Sequence, residues 1–544
     1  MRALLIAAAL CAACAACKTQ DPQPPSQGTG SREQDPQGKD PQEKDPLLRQ
    51  RAAAAENVSR FAEAADLYQK LMQQDPQRAE WAIAAGRCLG RSGRFNDAID
   101  LLTSKRNAFP GVTDVTAMLA RTWLLKAEGD PGALHPELCY TDAVKLAEEV
   151  LAADPDHEDA RLILAQAKYG QGDFAGAVAA AEEAVRRHPQ RPGAHVLAGR
   201  IAFDLFKQQK RDLEQRQQPP DDQERARLVA AIDEQRKRAK TEFLRATELD
   251  PERTFARIQL AELAVWDKET DSALLHWGEA LVVDPQAKVD HAWIEQHVPW
   301  EPRRAFYEQT MQRYHARPDA EKKLEANLQW YVARAAYDGG RWEDARAGFV
   351  RVLDLNPMFT NALYWAALAA WKLDDRDAAE DFAARYARVS ATAFADVLRA
   401  LPPAARGEIA QMVQFLADRA YRETHHNDNS RDLNHVIAAL KDSADAWNNY
   451  AFLCRECGRA EEAITAYEHA LEKEPDSPQL LNDLGVVLQY HLSTPANLLR
   501  ARKLYERAID LADRVLADGS STEVARKRAA QARSDALQNL EKLP

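Results

Sequence analysis

The sequence lacks several features that would point to an enzyme or to a protein built on β-sheet. Runs in which Val, Ile or Thr alternate with polar residues are missing, so no sheet is predicted. No glycine-rich phosphate loop, nucleophile elbow, HExxH motif or matched set of carboxylates is present. We therefore predict no catalytic residue, no cofactor, no bound metal and no small-molecule substrate.

Cysteine and positive charge are also scarce. Only seven of the 544 residues are cysteine, and three of these lie in the first 17 positions, so no disulfide framework is predicted. The formal net charge of -12 argues against nucleic acid as the main partner, because binding to phosphates needs a basic surface. The abundant residues are strong helix formers, chiefly Ala, Glu, Arg, Leu and Gln. Because 544 residues exceed what one hydrophobic core organises, the chain is expected to form several domains or a repeat array.

The first 17 residues have the layout of an export signal. Arg2 precedes an apolar run of about fifteen residues, too short to span a membrane, and polar sequence begins at Lys18. Two alanines precede Cys14 and two precede Cys17. This resembles a bacterial lipoprotein signal, in which the cysteine after the cleaved bond carries lipid, although Cys14 stands where leucine is usual. We predict lipidation of Cys17 and anchoring on the periplasmic or outer-membrane side of the envelope. The alternative is an ordinary signal peptide whose cleavage leaves a secreted protein.

Residues 18–46 are rich in Pro, Gln and Asp and contain almost nothing apolar. This composition is typical of a disordered or polyproline-like tether. Behind a lipidated cysteine, such a tether would hold the folded part away from the membrane surface.

A repeating pattern runs through most of the remaining chain and is clearest in residues 446–475. Counted from Ala444, the pattern residues are Trp447 at position 4, Tyr450 at 7, Ala451 at 8, Cys454 at 11, Ala463 at 20, Tyr467 at 24, Ala470 at 27 and Pro475 at 32. This resembles the tetratricopeptide repeat, and about ten stretches between residues 47 and 516 match it in or near register.

The resemblance implies an all-α fold, an α-solenoid of about ten helix-turn-helix repeats. Small residues at positions 8, 20 and 27 let the two helices approach, larger ones at 4, 7, 11 and 24 fill the space between repeats, and proline at 32 ends the second helix. One repeat contains an insertion at 203–238, predicted to form a long charged helical hairpin. The predicted organisation is a signal peptide (1–17), a tether (18–46), an N-terminal array (47–190), a repeat with the hairpin (191–252), an aromatic-rich array (253–389) with an irregular repeat at 286–325, an irregular helical connector (390–442), and a C-terminal pair of repeats with a terminal helix (443–544).

An aromatic set is the first candidate for partner binding. In tetratricopeptide arrays the first helix of each repeat lines a concave groove, which positions 2, 5, 6, 9, 12 and 13 face. By that count, two neighbouring repeats direct aromatic side chains to the groove: Trp330, Tyr331, Tyr337, Tyr364, Trp365 and Trp371. Aromatics that packing does not require resemble an interaction hot spot. The alternative is that the irregular repeat at 286–325 folds back and covers them.

Three asparagines form the second candidate. Asn448 and Asn449 occupy groove positions 5 and 6, and Asn482 matches Asn448 in the following repeat. Peptide-binding tetratricopeptide proteins use groove asparagines to bond the backbone of an extended ligand, because an amide offers both a donor and an acceptor. The other repeats carry no matching ladder, so solvated surface asparagines are the alternative.

Cys454 and Cys457 have the spacing of a thiol-redox motif or half a zinc site. Cys454 takes packing position 11, and Cys457 lies just before Gly458 at the turn into the second helix. We interpret them as a buried packing residue and a turn residue, with a redox or metal role as the alternative.

Taken together, the patterns predict a non-enzymatic scaffold at the cell envelope. It would bind other proteins or peptide segments in its groove and contact the membrane through its N-terminal lipid. The alternative is an assembly factor with one dedicated client, resembling the tetratricopeptide lipoproteins that serve pilus, secretion or outer-membrane systems.

The predicted anchor can be tested by changing Cys17 to Ser. We expect the variant to lose lipid labelling and to move from the membrane to the soluble fraction, because each buried CH₂ of a lipid chain contributes about 0.8 kcal/mol to membrane binding. Labelling with a lipid precursor and fractionation of cells measure both effects. Cys14→Ser is the matched control and should stay anchored; unchanged residence of Cys17→Ser would contradict the prediction.

Overall fold

The computed structural model describes residues 45–130, 132, 135–216, 220–424 and 428–544, and every regular element in these ranges is a helix. The predicted signal peptide with Cys17, and nearly all of the tether, lie outside the described residues. Contacts divide the chain into two compact units, one ending at Asp284 and the other beginning at Pro285. Within the described ranges, no helix combines the length and the apolar character needed to cross a membrane.

The unit that ends at Asp284 consists of helix pairs joined by short turns. Each helix packs mainly on the next one along the chain, as expected for consecutive helix-turn-helix repeats. The helices are α1 (Pro46–Asn57), α2 (Phe61–Gln74), α3 (Ala79–Arg91), α4 (Phe95–Ala108), α5 (Thr113–Gly129), α6 (Pro136–Ala153), α7 (Glu158–Gly170), α8 (Phe174–Arg187), α9 (Pro192–Glu214), α10 (Asp222–Leu249), α11 (Thr254–Trp266) and α12 (Thr270–Val283).

The unit that begins at Pro285 opens with a short helix and then continues with longer ones. Its helices are α13 (His291–His297), α14 (Trp300–His315), α15 (Lys322–Asp338), α16 (Trp342–Leu355), α17 (Asn361–Lys372), α18 (Arg376–Ala400), α19 (Pro403–Thr424), α20 (Asp428–Lys441), α21 (Ala444–Glu456), α22 (Ala460–Lys473), α23 (Pro478–Val486), α24 (Pro495–Ala517) and α25 (Glu523–Glu541). Residues Val487–His491 extend α23 as a π-helix.

Glycine closes the turn inside several of these pairs. Gly93, Gly172, Gly340 and Gly458 adopt φ angles between 71° and 81°, in the left-handed region that glycine enters without steric cost. A proline then follows the end of many second helices, as Pro475 follows α22, and prevents the helix from continuing. These two signals set the alternation of first and second helices.

Close contact between the two helices of a pair depends on a small residue at position 8. A Cβ atom added to Gly485 would lie 2.5 Å from Cε1 of Tyr505, the large side chain at position 24 of the same repeat. In the other unit, a Cβ atom on Gly199 would lie 2.8 Å from Cδ1 of Phe243. Both rings are fully buried, so neither has room to move away.

The predicted all-α repeat fold is confirmed, including the helical hairpin. The inserted residues lengthen both helices of one pair: α9 has 23 residues and α10 has 28. No described residue between Phe206 and Ala239 is buried. The added turns are held mainly by the pairing of α9 with α10, and near their base Arg236 and Arg238 form ion pairs with Asp267 and Glu182.

The regular alternation changes at Ser390. The backbone of α18 leaves helical geometry at this residue, with φ -166° and ψ 98°. Its hydroxyl accepts a hydrogen bond from the backbone N–H of Ala393 at 3.1 Å, as an N-cap residue does. Residues 391–400 therefore form a new helical segment, and in the described part of 390–442 it is followed by α19 and α20.

Two glycine substitutions test the close contact at position 8. Gly485→Ala should lower the free energy of unfolding by about 1–3 kcal/mol, because the new methyl group meets the buried ring of Tyr505. Gly407→Ala, in α19, meets no atom within 4 Å and should instead stabilise by up to about 1 kcal/mol through helix propensity. Chemical unfolding measures both values, and equal changes would contradict the proposed contact.

Candidate functional site

The structure places the six predicted aromatic residues on α15 and α17. Trp330, Tyr331 and Tyr337 on α15, and Trp371 on α17, keep part of their side chains exposed. The remaining two, Tyr364 and Trp365, are 1% and 3% exposed. Four of the six side chains are therefore partly accessible, and two are buried.

The expectation that Tyr364 and Trp365 face an open groove is wrong. The Tyr364 ring lies 5.8 Å from that of Phe394, and the Trp365 ring lies 5.0 Å from that of Tyr337. Phe394 belongs to the segment that begins after Ser390, so the break in α18 brings this segment onto α17. Both residues are thus part of the hydrophobic core of their unit.

The irregular repeat at 286–325 covers a different ring. Tyr331 stacks on Tyr307 of α14 at 4.9 Å and on His291 at 3.8 Å. Burial lowers the pKa of His291 to about 3, so its ring is neutral when it bonds the Tyr307 hydroxyl at 2.7 Å. The covering predicted as an alternative is therefore present for Tyr331, whereas later helices bury Tyr364.

The three predicted asparagines have different environments. Asn449 is exposed and Asn448 is half-buried, as groove residues would be. Asn482, however, is 5% exposed, and its Oδ1 accepts a hydrogen bond from Nδ2 of Asn539 at 3.2 Å. Its own Nδ2 donates to Asp483 at 3.2 Å. The expectation of an open Asn482 is therefore wrong, because α25 packs on α23 and satisfies its amide.

A cavity of about 350 Å³ lies where the first turns of α21, α23 and α25 meet. Asn448 lines it from α21. The side chains of Leu480, Val515 and Val524 supply apolar wall, and Arg528 contributes a positive charge. Its remaining lining residues are Ala444, Asp445, Glu474, Ser477, Pro478, Gln479, Thr522, Ala525 and Ala529. The cavity therefore combines one amide, charged groups and an apolar wall.

Four protein-family models match parts of the chain. Models described as "Tetratricopeptide repeat" match residues 58–126 and 333–405, and one described as "TPR repeat" matches 453–490. The model "Anaphase-promoting complex, cyclosome, subunit 3" matches 138–210. The chain is a tetratricopeptide repeat protein.

Several solved structures resemble this tetratricopeptide protein, each at low identity. The human IFIT1 dimer with m7Gppp-AAAA is 14% identical, with 76% of this chain and 68% of that chain covered and a TM-score of 0.33. MamA from Desulfovibrio magneticus RS-1 is 20% identical over 40% and 94% of the two chains, with a TM-score of 0.26. TTC0263, a TPR protein of Thermus thermophilus, is 16% identical over 46% and 99%, with a TM-score of 0.23. No curated protein matches the chain.

The cysteines of this tetratricopeptide protein occupy the places that the repeat assigns to them. Cys454 is fully buried, and burial raises the pKa of its thiol to about 12, which keeps it protonated. Cys457 caps the end of α21, directly before the left-handed Gly458. Among the described residues, no disulfide joins Cys454 to Cys457.

Sequence reasoning missed Arg334, which lies at the centre of the aromatic set. It is 4% exposed, and its guanidinium carbon lies 3.6 Å from the centre of the Trp365 ring. Position 9 of its repeat faces the groove, so the same count that selected the aromatics could have selected it. An arginine there suggests an exposed charge, and only the structure shows that it is buried.

Substitution of Trp365 distinguishes a core residue from a binding residue. Trp365→Ala should lower the free energy of unfolding by about 3–5 kcal/mol, the usual effect of removing a large buried ring. Phe415→Ala is the control in the same unit and should have a much smaller effect, because Phe415 is 43% exposed. Thermal and chemical unfolding give both values. A Trp365→Ala protein as stable as the control would place this ring on the surface.

Proposed function

We propose that this tetratricopeptide protein is a non-enzymatic scaffold that is exported, held at the cell envelope by lipid on Cys17, and binds an extended segment of a partner protein. The binding site is the cavity between the first turns of α21, α23 and α25. The observation that carries the proposal is the position of Asn448, a groove asparagine of the repeat pattern that lines this cavity.

The chemistry of the cavity suits an extended segment. The amide of Asn448 can pair with a main-chain group whatever the sequence of the partner. Next to it, Leu480, Val515 and Val524 offer apolar surface for one side chain of the segment. Asn449 follows Asn448 on α21 and is exposed, so it extends the polar contact beyond the cavity.

The accessible aromatics remain a proposed second contact. Trp330, Tyr331, Tyr337 and Trp371 keep partly exposed edges, which suits contact with a partner along α15 and α17. They are separated from Asn448 by the helices that follow Ser390, so we treat the two surfaces as distinct.

A nucleic-acid partner is not proposed. The net charge of -12 leaves the chain without the excess of basic residues that phosphate binding needs. The m7Gppp-AAAA named with the IFIT1 structure is bound by IFIT1 and is not a ligand that we propose for this chain. A dedicated assembly factor is the alternative role, and it differs from a scaffold in having a single client.

Site-specific crosslinking in intact cells tests the proposed site. A photo-crosslinking amino acid in place of Asn449 should form adducts with a partner protein. The same amino acid in place of Glu472, an exposed residue of the second helix α22, is the control and should not. Adding Asn448→Ala to the first variant should reduce the adduct roughly 3- to 10-fold, the usual contribution of one hydrogen bond.

The outcomes separate the alternatives. One discrete adduct at Asn449 favours a dedicated assembly factor, and several favour a scaffold. Equal adducts at both positions, or an adduct that Asn448→Ala leaves unchanged, would show that this cavity is not the binding site.

A further inference from the structure

The C-terminal helix α25 bonds to groove positions of the last repeat. Counted from Pro478, Asn482 lies at position 5 and Gln489 at position 12, and both positions face the groove in tetratricopeptide arrays. Nδ2 of Asn539 on α25 donates to Oδ1 of Asn482 at 3.2 Å. The backbone carbonyl of Asn539 accepts from Nε2 of Gln489 at 3.2 Å, and its Oδ1 accepts from the Tyr490 hydroxyl at 3.3 Å. α25 therefore lies over the groove face of α23.

These bonds reproduce what a peptide ligand would offer. Each peptide unit of an extended segment carries one N–H donor and one carbonyl acceptor. Asn539 presents an amide N–H to Asn482 and a carbonyl to Gln489, which are the same two groups. Terminal helices cap repeat arrays by covering the last second helix, and α25 does so by packing on α24. The bonds to α23 are additional to that cap.

The first turns of α25 stand over the cavity that contains Asn448. Five of the lining residues lie between Thr522 and Ala529. Asn448 lines the cavity from position 5 of α21, the position that Asn482 holds in α23. A segment that follows the groove from Asn448 towards Asn482 therefore meets α25, because α25 already holds the Asn482 amide.

Less apolar surface holds α25 in place than holds the two helices on which it packs. The buried residues of α25 are three alanines, and Leu537 and Leu540 are partly exposed. By comparison, α24 buries the ring of Tyr505, and α23 buries three leucines. Hydrophobic stabilisation grows with the apolar area removed from water, and elements with few buried apolar contacts open at lower free energies than the core. α25 is therefore the element of this repeat that detaches most easily.

We propose that α25 is an internal occupant of the groove, which the partner segment displaces when it binds along α21 and α23. This inference rests on the proposed function. The segment replaces Asn539 as the partner of Asn482 and Gln489. Because the groove is open only in the fraction of molecules whose α25 is detached, α25 lowers the apparent affinity for every segment that extends from the cavity onto α23.

Hydrogen exchange of the full chain, followed by mass spectrometry, tests whether α25 detaches alone. In the unmodified protein, amides of α25 should exchange at least about tenfold faster than those of α24, because α25 opens locally. Ala536→Asp should accelerate α25 about tenfold further and leave α24 unchanged, since the new carboxylate would be buried without a partner. Ala530→Asp, at an exposed position of the same helix, is the control and should change neither. Equal exchange of α24 and α25 would overturn the proposal.

Photo-crosslinking at Asn449 then tests competition with the partner. When Ala536→Asp is added, the adduct yield at limiting partner should rise about threefold or more, because a larger fraction of the protein has an open groove. Asn539→Ala removes two bonds to α23 and leaves the groove residues in place, so it should also raise the yield. The control Ala530→Asp should leave the yield unchanged.

The outcomes separate this inference from the proposed function. Adducts at Asn449 that increase with neither Ala536→Asp nor Asn539→Ala would overturn the competition by α25 and leave the binding site in place. The absence of an adduct from every variant would contradict the proposed function itself. Hydrogen exchange reports on α25 in either case, because it needs no partner.

Discussion

The contact between position 8 of one helix and position 24 of its neighbour is the constraint on which each repeat depends. At Gly485 and Gly199 the space that a Cβ atom would take is already filled by a buried ring. A methyl group there would push the two helices apart, because the interior of a protein is packed too densely to hold the added volume. Because each repeat packs mainly on its neighbours, the spacing set inside one pair also determines how the next pair can dock.

The sequence was sufficient to predict features that depend on residues close together in the chain. The pairing of helices, the lengthened hairpin and the burial of Cys454 all follow from a fixed count of positions and from the signals of Gly and Pro. The end of α22 before Pro475 and the turn at Gly458 are of the same kind. Local pattern and global fold agree at these places, as they do in a well-specified repeat.

The features that the sequence could not reveal depend on one irregular residue and on distant contacts. Ser390 breaks α18 without a Gly or Pro to signal it, and the burial of Tyr364 follows from that break. Asn482 is satisfied by Asn539, which is 57 residues away and lies outside any repeat count. A position in a repeat indicates the direction of a side chain, but what stands opposite it depends on the helices that follow. The same limit explains why Arg334 was missed. Its position in the repeat could be counted from the sequence, but its burial could not be predicted.

The hairpin of α9 and α10 gives its unit a reach that the other repeats lack. The first helix α7 has 13 residues and α9 has 23, and the second helices α8 and α10 have 14 and 28. At 1.5 Å per residue, the added turns extend roughly 15–20 Å past the neighbouring pair. Any large object that approaches this flank meets the charged hairpin before it meets the repeats. The hairpin therefore sets a minimum distance between this edge of the protein and a neighbouring macromolecule.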